Sequence, residues 1–153
     1  MSTYILTWNP HINPWFDPVN DVISIRKGIL VPTRWSTGST KRICEGDIAY
    51  FLRQRSKFNG LFGKAVSTRG SFQAEHWDEN KAGQTANYAE FNIIDLVDPN
   101  SNLILSTKSL QANIPEVNWK PMASGTSIPL ELENRVNELW SQFRKSEMDG
   151  KNA

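Results

Sequence analysis

Sulfur and imidazole are scarce in this chain: one cysteine, Cys44, and two histidines, His11 and His76, in 153 residues. A single thiol excludes an internal disulfide and suits a reducing cytoplasm. No His/Cys/carboxylate spacing matches a zinc site, and no Gly-x-Ser-x-Gly elbow is present. Gly60-Leu61-Phe62-Gly63-Lys64 approaches the phosphate-loop pattern. Phe58, however, stands where its first glycine belongs, and Ala65 where its Ser/Thr belongs. No stretch nears the roughly 20 apolar residues of a membrane span. The opening Met1-Ser2-Thr3-Tyr4-Ile5 lacks a basic segment leading into an apolar run, so no signal peptide is expected. Excess charge is missing as well: a net charge of +1 implies no wholesale attraction to nucleic acid. Asp47 after Gly46 offers a general base, but a turn aspartate before a strand is more often structural. A histidine in a polar surface loop, such as His76, is more often inert. The residues point to a cytoplasmic binder, with no catalytic residue, metal or cofactor expected.

What the chain has in plenty is tryptophan, six in all. Trp8 sits in Trp8-Asn9-Pro10, Trp15 follows Pro14, Trp35 opens Trp35-Ser36-Thr37-Gly38-Ser39, and Trp119 precedes Lys120-Pro121. A tryptophan at an element end or in a loop is where a pocket wall would be, and flat aromatic walls grip flat ligands. Trp140 lies on an apolar helical stripe and belongs to the core. Trp77, among Glu75, His76, Asp78 and Glu79, is expected half-exposed and has no assigned role. For Trp8, Trp15, Trp35 and Trp119, residue type alone leaves core and pocket both open. Charge is uneven: Arg26, Lys27, Arg34, Lys41, Arg42, Arg53, Arg55, Lys57, Lys64 and Arg69 face only Glu45 and Asp47 between positions 26 and 69. That half is a candidate electropositive face, or simply a solvated basic surface.

Periodicity gives a small, mostly β domain of the α+β class. Tyr4 to Trp8 is a strand stopped by Asn9-Pro10, and Val19 to Ile29 holds a short helix. Pro32 to Lys41 reads as a polar loop. Ile48 to Leu52 is a strand buried on both faces, as in a small barrel. Arg53 to Asn59-Gly60 is a polar hairpin connection with Asn-Gly supplying positive φ, and the glycines at 60 and 63 leave room for a close neighbour or a bulge. Leu61 to Thr68 returns, Ser71 to Ala86 is a surface loop, and Ala89 to Val97 is a strand with Phe91, Ile93 and Asp95 on one face. Asp98-Pro99-Asn100-Ser101 turns into Leu103-Ile104-Leu105. A helix from about Pro129 to Phe143, with proline at its first position, has an apolar stripe of Ile128, Leu132, Val136, Leu139, Trp140 and Phe143. Residues 144–153 are expected to be a flexible tail.

Several segments in order resemble EVE domains of the PUA-like superfamily. Tyr4-Ile5-Leu6-Thr7-Trp8-Asn9-Pro10 is similar to their opening strand. Trp35-Ser36-Thr37-Gly38-Ser39-Thr40-Lys41-Arg42-Ile43, followed by Gly46-Asp47-Ile48-Ala49-Tyr50-Phe51, resembles their next segment. Asn59-Gly60-Leu61-Phe62-Gly63-Lys64-Ala65-Val66 and then Asn118-Trp119 with Ser124-Gly125 complete the likeness, which spans about Thr3 to Phe143. It is nearest to the modified-base-reading domains of modification-dependent restriction enzymes and to those fused to HNH nucleases. YTH and SRA readers share the general plan. The resemblance implies a PUA-like curved β-barrel with peripheral helices and a C-terminal helix, in one domain over 3–143. It implies a pocket that takes one extruded base, such as 5-methylcytosine, 5-hydroxymethylcytosine or N6-methyladenine, out of DNA. Trp35 and Trp119 are its expected walls, with Asn9, Ser36, Ser124 and Gly125 next, then Trp15 and Trp8. Lys41, Arg42, Arg53, Arg55 and Lys57 are expected on phosphates. A separately encoded nuclease, within a restriction or defence system, is the expected protein partner. The alternatives are an RNA-binding module reading a modified base and a binder of a free nucleotide or other planar ligand.

Overall fold

The computed structural model describes residues 1–152, with side chains through 147. The chain runs β1 (Thr3–Trp8), α1 (Pro18–Arg26), β2 (Val31–Ser36), β3 (Ile48–Arg53), β4 (Gly60–Glu75), β5 (Thr85–Leu96), β6 (Leu105–Ser106), α2 (Thr107–Asn113), β7 (Thr126–Ile128) and α3 (Glu133–Asn152). The strands make one seven-stranded sheet in the order β2-β5-β4-β3-β1-β7, with β6 paired to β4. β1 and β3 run parallel, Thr3 opposite Ile48 and Trp8 opposite Arg53. The other described ladders are antiparallel. The architecture is α+β with a curved mixed sheet and a C-terminal helix, as expected, but β2 and β7 remain unpaired edges and the sheet is not closed.

β3 is buried on both faces, as its apolar run predicts. Phe51 points to an aromatic cluster on one side. Tyr50 meets Trp140 of α3 on the other, ring centroids 6.1 Å apart. β2 replaces the expected polar loop at 32–41. Its inward Val31, Thr33 and Trp35 alternate with exposed Pro32 and Arg34, and proline is tolerated because the strand is an edge. β4 extends through Ser71 to Glu75 and pairs with β5 as far as Thr85, where a surface loop is expected. Register shifts between Ser67 and Phe72 bend this arm away from the core, so its polar faces are solvated and show no apolar alternation. The positive φ of the β3–β4 connection falls on Arg55 (φ 60°), and Gly60 is required instead by close approach. A Cβ there would lie 2.1 Å from the Leu105 carbonyl oxygen of β6.

At the C-terminus, Leu130–Leu132 forms a 3-10 turn and α3 begins at Glu133, four residues after Pro129. Val136 and Trp140 are buried, and Leu139 and Phe143 pack against the core. The helix continues through 144–147, where the expected tail begins; Ala153 lies outside the described residues. Among the described residues, no helix is long and apolar enough to cross a membrane.

Candidate functional site

The seam where β2 curls toward β1 is built by short polar contacts rather than by a strand ladder. Trp35 Nε1 donates to the Thr7 carbonyl at 3.0 Å, and Thr7 N–H donates to Ser124 Oγ at 3.1 Å. Gly125 N–H donates to the Ile5 carbonyl, and Thr40 Oγ1 donates to the Gly125 carbonyl at 2.7 Å. Backbones approach closely here: a Cβ on Gly125 (φ 86°) would lie 2.3 Å from the Thr37 carbonyl oxygen.

A cleft of about 480 Å³ opens beside this seam. Thr7 to Asn9 from the end of β1 and Arg34 to Ser36 from β2 line one part. Ala123 and Ser124 line another, and His76, Trp77 and Lys81 descend from the β4–β5 arm, with Tyr88 below them. The turn after β1 is preorganised. Asn9 Oδ1 accepts the His11 N–H at 3.0 Å, and Trp8 Nε1 reaches the Asn13 carbonyl at 2.6 Å. His76 and Trp77 pack as a tilted pair, centroids 5.6 Å apart and 31° between planes. His76 Nδ1 accepts the Asp78 N–H at 3.0 Å, so its neutral ring carries the proton on Nε2. Arg34 rests over Tyr88 at 4.4 Å from the ring centroid, a cation–π contact that fixes its guanidinium at the mouth. Among the described residues, no carboxylate lines the cleft. Aromatic faces, several hydrogen-bonding groups and two cations that form no ion pair among the described residues suit a flat, polar-edged ligand attached to phosphate.

Of the residues expected at a base pocket, Asn9, Trp35, Ser36, Ser124 and Trp8 meet at this cleft. Trp8 is buried and contributes mainly floor. Trp15 stands behind Trp35, centroids 5.7 Å apart, with Nε1 donating to Asp21 Oδ2 at 2.7 Å. It joins Trp8, Trp35, Phe51 and Phe62 in the aromatic cluster and lines a neighbouring hollow instead. Gly125 is buried in the seam. Trp119 does not line this cleft with Trp35; it borders a separate one with Lys120 and Met122. It is 1% exposed, and its Nε1 donates to the buried Ile114 carbonyl at 2.9 Å.

The expected phosphate contacts separate as well. Arg53 is 4% exposed and fully engaged by Phe58, Pro99, Ser101 and Asn102 oxygens at 2.6–3.0 Å. It holds two loops together and has no face left for phosphate. Burial lowers its pKa, partly opposed by Asp98. Lys41 and Arg42 line a different hollow with Gly125 and Glu133. Arg55 and Lys57 line another. The cations at the cleft beside Trp35 are Arg34, which belongs to the expected electropositive half, and Lys81; neither was among the expected phosphate contacts. Trp77, 39% exposed, and His76 were also missed. The available signal was an aromatic pair inside an otherwise polar stretch.

No protein-family model matches the chain, and no curated protein matches it. Solved structures do. A hypothetical protein from Leishmania major is similar at a TM-score of 0.64 and 11% identity, over 94% of this chain and 97% of that one. A Pseudomonas syringae protein gives 0.59 and 13%, over 90% and 99%. Human THYN1, solved in complex with 5-methylcytosine-containing DNA, gives 0.58 and 12%, over 91% and 97%. These likenesses are of fold: the chain shares with these structures an α+β architecture.

Proposed function

We propose that this chain reads a single modified base in DNA, taking it, extruded from the duplex, into the cleft beside Trp35. The observation that carries the proposal is the convergence there of Trp35, Trp77, Asn9, Ser124, Arg34 and Lys81 without a carboxylate. Support also comes from the fold, since a human protein of this architecture was solved with 5-methylcytosine-containing DNA. Extrusion costs a few kcal/mol of stacking and pairing. Stacking on an aromatic side chain returns about 1–3 kcal/mol per base, and edge hydrogen bonds supply the rest. Asn9, Ser36, the Ser124 hydroxyl and His76 Nε2 are the groups that would read the edge. Arg34 and Lys81 would hold the flanking phosphates, which position the strand without reading sequence. In this role the chain binds and does not catalyse, and any cutting within a restriction or defence system falls to a separate nuclease.

The test is a titration of short duplexes carrying 5-methylcytosine, 5-hydroxymethylcytosine or N6-methyladenine, beside unmodified duplexes and matched RNA. Tighter binding of one modified duplex is expected. Equal, weak affinity for every duplex would sink the proposal, and a preference for RNA would move it to RNA. A planar small-molecule site would instead show affinity that barely changes with salt.

A further inference from the structure

A second cleft, also about 480 Å³, lies on the same end of the sheet. Arg55, Lys57, Lys108 and Lys120 line it. Among the described residues, no carboxylate lines it, and none of these cations is in an ion pair. In a chain of net charge +1, such a grouping is a local excess. Phe58, 50% exposed, and the fully exposed Met122 stand among the charges.

The cations are held by a fixed frame. The Arg53 guanidinium clasps the Phe58 carbonyl, and Asn59 closes the turn onto Ser56, with Oδ1 accepting the Ser56 N–H at 3.0 Å. Arg55 and Lys57 therefore ride on a preorganised loop. Lys108 sits in α2, whose first turn is capped by Ser106 Oγ. Lys120 begins a strap that Gln54 fastens, its Nε2 donating to the Pro121 carbonyl at 2.9 Å. That strap joins the two clefts. Pro121 and Met122 line the second, and the next two residues, Ala123 and Ser124, line the first. The floors meet too, because Gln54 N–H donates to the Trp8 carbonyl at 2.9 Å.

We infer that the second cleft is a track for the phosphodiester backbone of the nucleic acid whose base enters the first, an inference that rests on the base-reading proposal. Charges on separate segments, interleaved with apolar side chains, fit an extended polyanion better than one isolated phosphate. The strand leaves the base cleft over Met122 and runs along Lys120, Lys108, Lys57 and Arg55.

The experiment measures affinity of the full chain for a 5-methylcytosine duplex and its unmodified twin across about 50–200 mM salt. The variants are Lys57→Gln/Lys108→Gln and the quadruple change that adds Arg55→Gln and Lys120→Gln. Removing one cation from a phosphate should flatten the slope of log affinity against log salt by about one. Both duplexes should weaken by the same factor. A parental slope in the double variant overturns the inference, and so does equal flattening by Arg26→Gln/Lys27→Gln, which line neither cleft. The two proposals fail separately: absence of any modified-base preference removes the first, whereas the slope alone decides the second. The side chains changed in the double variant are exposed, and a thermal melt confirms that it remains folded.

Discussion

Trp35 on the edge strand β2 donates its indole N–H to the carbonyl of Thr7 in β1, 3.0 Å away. β2 and β1 lie four places apart in the strand order, so this bond spans the curl of the sheet and not a neighbouring pair. Thr7 binds Ser124 through its N–H at the same point. The residue that best qualifies as a ligand wall is thus also a fastening of the fold.

Fold and ligand roles are separated by three substitutions. Trp35→Phe keeps a ring but removes the donor, leaving the Thr7 carbonyl short of a partner, and should lower unfolding free energy by about 1 kcal/mol. Trp77→Ala, at a half-exposed position, should leave the denaturation midpoint nearly unchanged and weaken modified-duplex binding by roughly tenfold. Trp119→Ala should behave in the opposite way, losing about 3–5 kcal/mol of stability. Parallel denaturation and binding titrations check all three.

The seam glycine is irreplaceable for two reasons at once. Gly125→Ala meets both a positive φ and a Cβ position 2.3 Å from the Thr37 carbonyl oxygen, so a loss of at least about 2 kcal/mol is expected. Gly46→Ala also has positive φ but open space around the added carbon, and should cost about 1 kcal/mol. Equal losses in urea denaturation would mean that close approach contributes nothing.

Arg53→Met tests the loop staple. The substitution leaves the Phe58, Pro99 and Ser101 carbonyls without their donor, a loss on the order of 3 kcal/mol. Phosphate binding at the adjacent cleft should weaken only through its loosened loop. Amide exchange should therefore rise at 54–59 and 99–102 first.

Tyr50 predicts an alkaline limb in the stability curve. Burial, and secondarily the Asp95 charge, push its phenol well above the ordinary tyrosine range. The folded state keeps the proton while the unfolded chain releases it, so the stabilisation is complete below about pH 10 and declines as pH rises beyond it. Tyr50→Phe loses the bond to Asn137 Oδ1 at neutral pH but should show a flatter decline above about pH 10. Tyr4, also raised chiefly by burial, adds in the same direction in both proteins. Lys64, near both Tyr50 and Asn137 and lowered by burial, opposes it in both. The difference between parent and variant isolates Tyr50.

By itself, the sequence determined the elements whose apolar pattern is strong: β1, the doubly buried β3, the central part of β5, and Val136 and Trp140 on the closing helix. It also determined the ordered segments whose likeness points to a PUA-like fold. It did not reveal β2, because three inward side chains on an edge strand make too short an alternation. The β4–β5 arm escaped for a related reason: its pairing is backbone to backbone, and polar side chains on solvated faces leave no periodic trace. Which tryptophan lines the cleft beside β2 was decided only by tertiary structure. Trp35 and Trp119 are equal in burial preference and both sit near turns. Trp119's N–H finds a carbonyl inside the core, whereas the curl of the sheet leaves part of Trp35 open beside the arm carrying His76 and Trp77. The same holds for the arginines. Arg53 and Arg55 are two residues apart with identical side chains; Arg53 ends β3 under two loops whose oxygens bury it as a staple, whereas Arg55 lies past the strand at φ 60°, and the turn leaves it in solvent.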